Sequence, residues 1–201
     1  MHQPAPASMV YNDALARDIR RRLAAHRRRE IADPGLRPAA VVVPLVPDTA
    51  GLSVLLTRRT DDVEHHKGEI CFPGGRVDPG DTDHLAAALR ETWEEVGVHP
   101  EHLQVLGALD DFVSITGYRV RPFAALLDRL DYPYAPEPRE VDELLVIPVH
   151  HLLESAHHRV EESAPGDLRH RFHWQGRVVW GLTAAILYHF LRVALPRGSG
   201  A

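Results

Sequence analysis

The chain has 201 residues, 44% of them hydrophobic and 25% charged, which suits one domain with a sizeable core. A formal net charge of −5 provides no global basic field for nucleic acid, and no apolar run approaches the roughly 18 residues of a membrane span. The lone Cys71 cannot close an internal disulfide and the N-terminus lacks a basic-then-apolar leader, so the expected location is cytoplasmic.

Met1 to Ser8 is rich in proline and alanine, and residues 1–11 read as a disordered tail. Asn12 or Asp13 can cap a helix reaching about Arg29, with Leu15, Ile19 and Leu23 on one stripe. Arg20 to Arg22 and Arg27 to Arg29 make the rest of it basic, the pattern of a solvated surface helix packed by that stripe. Asp33-Pro34-Gly35 ends it. Ala39 to Val46 and Leu52 to Thr57 read as strands joined by a turn. Arg58 to Lys67 reads as a polar loop. Leu103 to Leu109 and Tyr118 to Leu126 read as two further strands. Asp131 to Pro138 is a proline-rich loop of the kind that borders sites. Glu140 to Ile147 reads as a strand, and Pro148 opens a short helix to Leu153. Leu168 to Trp174 and Arg177 to Trp180 form an expected hairpin around Gln175-Gly176. Gly181 to Leu195 is an apolar helix stopped by Pro196. Residues 12–195 thus read as a single domain, and 196–201 as a flexible tail. Strands and helices mix without strict alternation, which predicts a mixed sheet with helices on both faces.

The most informative stretch is Gly74 to Val98. Its second half has Leu85, Ala88, Leu89, Thr92 and Val96 at helical spacing. Glu91, Glu94 and Glu95, at i, i+3 and i+4, are expected to share the opposite face. Like charges that close repel, and a hard divalent cation with oxygen ligands removes the conflict. Arg90, four residues before Glu94, can brace that carboxylate. Gly97 closes the helix as a C-cap, and Gly74-Gly75 lets backbone amides approach a phosphate.

This stretch resembles the signature of the Nudix hydrolases, Gly-x5-Glu-x7-Arg-Glu-U-x-Glu-Glu-x-Gly-U, with U a bulky apolar residue. Gly75, Arg90, Glu91, Glu94, Glu95, Gly97 and Val98 match. Asp81 stands where the first Glu belongs, the spacer from Asp81 to Arg90 is one residue longer, and Thr92 is a milder change. Asp81 is expected to order the loop or the helix start rather than to bind metal. The resemblance implies an α/β/α sandwich and a Mg²⁺ or Mn²⁺ ion on Glu91 and Glu95, with Glu94 direct or through water. Glu140 and Glu143 flank a later strand, where the resemblance makes a base or an extra metal ligand expected of Glu140.

Leu55-Leu56-Thr57-Arg58-Arg59-Thr60, with Gly68-Glu69-Ile70-Cys71-Phe72-Pro73-Gly74-Gly75, is similar to the second signature of the coenzyme A diphosphatase subfamily. Members of that subfamily also carry Asp for the first Glu and the extra residue. The Trp180-Gly181-Leu182-Thr183 stretch resembles it too. The resemblance implies hydrolysis of coenzyme A or acyl-CoA to adenosine 3′,5′-bisphosphate and (acyl-)4′-phosphopantetheine. Arg58, Arg59, Lys67 and Arg76 gather before and inside the glycine loop. Lys67 is the single lysine beside 22 arginines. Guanidinium groups pair with phosphate bidentately, so Arg58, Arg59, Lys67, Gly74, Gly75 and Arg76 are the expected substrate-binding residues. Glu94, Arg90, Lys67 and Glu140 are the expected catalytic ones. Trp180 and Leu182 are the expected wall for the pantetheine arm.

Two other readings stay open: a Nudix enzyme for ADP-ribose or a nucleoside triphosphate, and a nucleotide-sensing module without turnover. The expected partner is a small molecule, with no nucleic acid and no membrane, and a homodimer stays open. The histidine pairs His65-His66, His150-His151 and His157-His158, with His170 and His173, lack zinc-site spacing and read as surface or hydrogen-bonded residues. There is no P-loop and no Gly-x-Ser-x-Gly elbow.

Overall fold

The structure, a computed structural model, describes residues 7–48, 51–60, 68–164 and 167–195. Strand β1 (Arg37–Asp48) runs through the middle of the main sheet. Its alternate residues serve two cores. Ala39, Val43 and Leu45 pack in one cluster with helices α1 (Ala7–Ala25) and α4 (Gly181–Ala194). Ala40, Val42 and Val46 pack in the other with helix α2 (His84–Val96). Burial on both faces is why Val41 to Val46 reads as a nearly unbroken apolar run. The expected mixed sheet between helices is therefore present.

Strand β1 pairs antiparallel with β2 (Gly51–Arg59) and parallel with β7 (Tyr118–Leu127). Strand β5 (Leu103–Ala108) lies antiparallel on the far side of β7. Strands β3 (Ile70–Cys71) and β8 (Val141–Pro148) both pair with β2, β4 (Gly74–Arg76) pairs with β1, and β6 (Phe112–Val113) pairs with β7. The short helix α3 (Val149–Leu153) follows β8. A second sheet holds β9 (His158–Ala164), β10 (Asp167–Trp174) and β11 (Arg177–Val179) in the order β11-β10-β9. The expected hairpin is β10–β11. Its turn places Gln175 at φ 44° and Gly176 at φ 76°, the left-handed pair that a two-residue hairpin needs.

Three expectations change. The first helix begins at Ala7 rather than Asn12, so the expected tail over residues 1–11 is helical from Ala7 onward. Residues 1–6 and the expected tail 196–201 lie outside the described residues. The same helix stops at Ala25 instead of Arg29, because the chain beyond it is captured by two aspartates. Asp110 Oδ1 accepts the Arg29 N–H at 3.0 Å, Asp111 Oδ2 accepts the Ile31 N–H at 3.1 Å, and the Asp111 N–H donates to Arg29 O at 2.9 Å. Asp111 is fully buried and takes Arg28 and Arg121, so Arg28 is not simply solvated. Finally, Arg58 and Arg59 extend β2 where a loop was expected.

Candidate active site

Helix α2 is fixed at both ends by side chains and turns legible in the sequence. Asp83 caps it, its Oδ1 accepting the Ala86 N–H at 2.8 Å. Gly97 closes it in the left-handed region at φ 73°, donating to Trp93 O at 2.9 Å. The proline-rich loop then covers the last carbonyls. The Ala135 N–H donates to Val96 O at 3.1 Å and the Glu137 N–H to Glu95 O at 2.9 Å. These are helix-end acceptors that would otherwise lack partners.

The glycine turn lies against both β1 and α2. Gly74 sits at φ 146°, and a Cβ there would come within 2.4 Å of Ala40 O. A Cβ on Gly75 would come within 2.6 Å of the Glu91 carboxyl carbon. Both glycines are therefore needed, one for the backbone path and one to leave room for a carboxylate.

The three glutamates do not share one solvated face. Their side chains are 55% exposed at Glu94, 20% at Glu91 and 5% at Glu95. Glu95 lies on the boundary of the stripe formed by Ala88, Thr92 and Val96, so it turns under the glycine loop instead of into water. There its Oε2 accepts the Gly74 N–H at 3.1 Å, and its Oε1 lies 3.5 Å from Arg59 Nη1. Burial outweighs these partners and pushes the Glu95 carboxyl up to about 8. Burial also raises Glu91, opposed by Arg90. Glu140, in the turn just before β8, adds to both shifts.

Arg90 is the hub of the exposed side. Its Nε and Nη2 grip Asp81 with two bonds of 3.0 Å, and its Nη1 reaches Glu91 at 2.9 Å and Glu94 at 3.0 Å. The bond from Arg90 is the largest influence lowering the Asp81 carboxyl. Asp81 also accepts the Asp78 N–H at 2.8 Å. It orders the loop as expected, by holding Arg90 rather than by capping the helix.

The expected basic cluster divides. Arg59 faces Glu95, and its Nε is buried without a partner among the described residues. Arg58 is paired with Asp142 on β8. Arg76 is exposed, and its carbonyl accepts from Arg90 Nη2 at 3.3 Å. Lys67, like His65 and His66, lies outside the described residues. Glu143 pairs with Arg177 of β11, at 3.0 Å from Nε and 2.9 Å from Nη2. Of the expected apolar wall, Trp180 is 48% exposed, while Leu182 packs against the core on the α1 and α4 side.

The donor set fits a hard divalent cation. It is all oxygen, Gly75 leaves space over Glu91, and a cation would offset the cost of burying Glu95 as an anion. The oxygens are not yet gathered. Among the described residues, the groups whose ligand atoms lie within 4.8 Å of one another do not include Glu91, Glu94 or Glu95. Arg90 holds two of these three.

Sequence reasoning missed the Gly74 N–H on Glu95 and the seating of Ala135 and Glu137 on the helix end. The first had a signal in the double glycine. The second had only the prolines around it.

Residues 35–168 match the NUDIX domain. The chain is 37% identical over 164 residues to an uncharacterized Nudix hydrolase NudL of Pectobacterium atrosepticum, covering 77% of this chain and 84% of that one. It is 36% identical over 159 residues to the protein of the same description in Yersinia pestis, covering 76% and 77%. Among solved structures, a C. elegans Ap4A hydrolase binary complex is similar at TM-score 0.48 and 24% identity, covering 56% of this chain and 80% of that one. The domain match and these identities establish that the chain belongs to the Nudix family.

Proposed function

We propose that this Nudix hydrolase cleaves the diphosphate of coenzyme A and acyl-CoA, giving adenosine 3′,5′-bisphosphate and (acyl-)4′-phosphopantetheine. The observation that carries the reading is Arg59. The stretch from Leu55 to Thr60, similar to the coenzyme A diphosphatase signature, delivers this guanidinium to the buried Glu95 with Nε unpartnered among the described residues. A buried donor without an acceptor is costly, and a phosphate oxygen would satisfy it. Glu91 and Glu95, with Glu94, would hold Mg²⁺ or Mn²⁺. Such an ion supplies charge neutralisation for the diphosphate and acidifies a water nucleophile. Arg90 holds Glu91 and Glu94 until their oxygens are needed and keeps Asp81 and the loop in place. Gly74 and Gly75 keep the wall of the site to bare backbone. Glu140 is the base in this reading, and Lys67 and Arg76 assist with phosphate.

The test is kcat/KM with Mg²⁺ for coenzyme A, dephospho-coenzyme A and ADP-ribose. Coenzyme A is expected to lead. A charge-assisted contact to its 3′-phosphate is worth roughly 1.5–3 kcal/mol, or about 10- to 100-fold over the dephosphorylated form. A preference for ADP-ribose would move the chain to another specificity within the family. Binding without turnover of any of the three would make it a sensing module.

A further inference from the structure

On the face of the sheet opposite α2, three potential metal ligands converge from three elements. His26 follows the end of α1, Asp110 follows β5, and His189 lies on α4. His26 Nε2 is 2.7 Å from Asp110 Oδ1, and His189 Nε2 is 3.6 Å from the same oxygen. All three ligand atoms lie within 4.8 Å of one another. The decisive atom is His189 Nε2, which is buried and has no hydrogen-bond partner among the described residues. An imidazole nitrogen left in that condition forgoes a bond that burial makes expensive.

We infer that His26, Asp110 and His189 form a second metal site, separate from the acidic helix, selective for Zn²⁺ or a similar borderline transition metal. Two imidazoles and one carboxylate are the ligand types zinc takes, whereas Mg²⁺ prefers all-oxygen sites such as the one on α2. With bonds of about 2.0–2.1 Å, tetrahedral ligands stand roughly 3.3 Å apart. The His189–Asp110 separation is already close to that, and the His26–Asp110 hydrogen bond must open modestly. The Arg29 N–H, 3.0 Å from Asp110 Oδ1, orients the carboxylate as an outer partner would. Phe112 meets the His189 ring edge to face at 5.7 Å and limits its rotation. The charges of Arg29 and Arg192 act on His189. Their charge sets a limit on affinity, and Asp110 offsets it. Three protein ligands leave one position for water. Its role is a clip holding α1, α4 and the β5–β6 connection together.

The experiment uses the full chain, stripped with a chelator and exposed to Zn²⁺ in excess Mg²⁺ so that the carboxylates of α2 are occupied. Bound zinc is measured after desalting, and thermal stability alongside it. About one zinc per chain and a raised Tm are expected in wild type and in Glu95→Gln. His26→Gln and His189→Gln should each bind at least ~10-fold more weakly and lose the rise in Tm. If His189→Gln does not fold, His26→Gln decides the matter. Wild type without zinc overturns the inference, as does zinc lost with Glu95→Gln. So does zinc lost with His151→Gln, since His151, Glu154 and His157 form the other converging group among the described residues. Zinc content is independent of hydrolysis, so this result stands apart from the proposed activity.

Discussion

At the scale of single residues, the site depends on groups held between two partners. Glu95 is buried, accepts one backbone N–H and faces one guanidinium. Glu95→Gln keeps that shape and removes the charge a metal would use. A loss of at least ~10²-fold in kcat/KM is expected, with an unchanged circular dichroism spectrum. Near-normal turnover at saturating Mg²⁺ would remove Glu95 from the metal site. The adjacent glycines separate activity from stability. In Gly75→Ala the atoms nearest the new Cβ all belong to the end of the Glu91 side chain. The carboxylate must move, so kcat/KM should fall about 10²-fold while stability changes by less than about 1 kcal/mol. In Gly74→Ala it meets backbone, from a φ that L-residues avoid. That variant should lose roughly 1–3 kcal/mol or more in urea unfolding. Equal stability losses in the two would mean the turn is softer than it looks.

At the scale of elements, each helix is held by the strip it buries. Phe190 on α4 is fully buried in the cluster it shares with Ile19 and Leu23 of α1. Phe190→Ala should cost about 3–5 kcal/mol by urea denaturation. It should leave kcat/KM near normal below the transition, because α2 packs on the other face. A matching fall in activity would show that the two faces are coupled. The same strips explain what could be read in advance. The periodicity of Ile19 and Leu23, the apolar run of β1 and the Gln175-Gly176 turn all have a dominant local cause. Strand β9 has none: His158–Ala164 is polar and largely exposed, and only pairing with β10 makes it a strand. Strands β3, β4 and β6 are two or three residues long and owe their shape to their neighbours. Glu95 was singled out as a candidate by its place in the motif. Its burial was not legible, since a residue at the edge of a helical stripe turns in or out according to what packs above it. The division of Arg58 from Arg59 likewise depended on Asp142, a residue far along the chain.

For the whole molecule, pH is the integrating variable. Burial holds His84, His158, His170 and His189 below their ordinary pKa. His158 and His170 share a 2.9 Å bond, and His170 stacks on Tyr188 of α4, tying the second sheet to the helix. A histidine whose folded pKa is depressed contributes stability that is present above the unfolded value near 6.5 and lost as pH falls toward the folded one. Asp18, Asp81, Asp110, Asp111 and Asp128 are also depressed, and their contribution is lost lower, below the ordinary aspartate value of 3.8. The histidine rings should therefore lower Tm as pH falls below about 6.5, against Glu95, whose raised carboxyl favours the folded state as pH falls from about 8 toward 4.5, and the aspartates add a further fall below 3.8. His158→Gln should lose less Tm than wild type over the histidine window and match it over the aspartate one. Identical profiles for the two proteins would mean that His158 protonates without cost. The proline-rich loop has its own whole-molecule consequence. Its Ala135 and Glu137 amides end on the carbonyls of α2, and Gly97 leaves no gap beneath Ala135. Those two amides can be released only when the helix end opens. In hydrogen–deuterium exchange they should keep pace with the slow amides of α2 rather than with a surface loop. The segment leading to Glu140 would then behave as a rigid strut that fixes this residue relative to the end of α2.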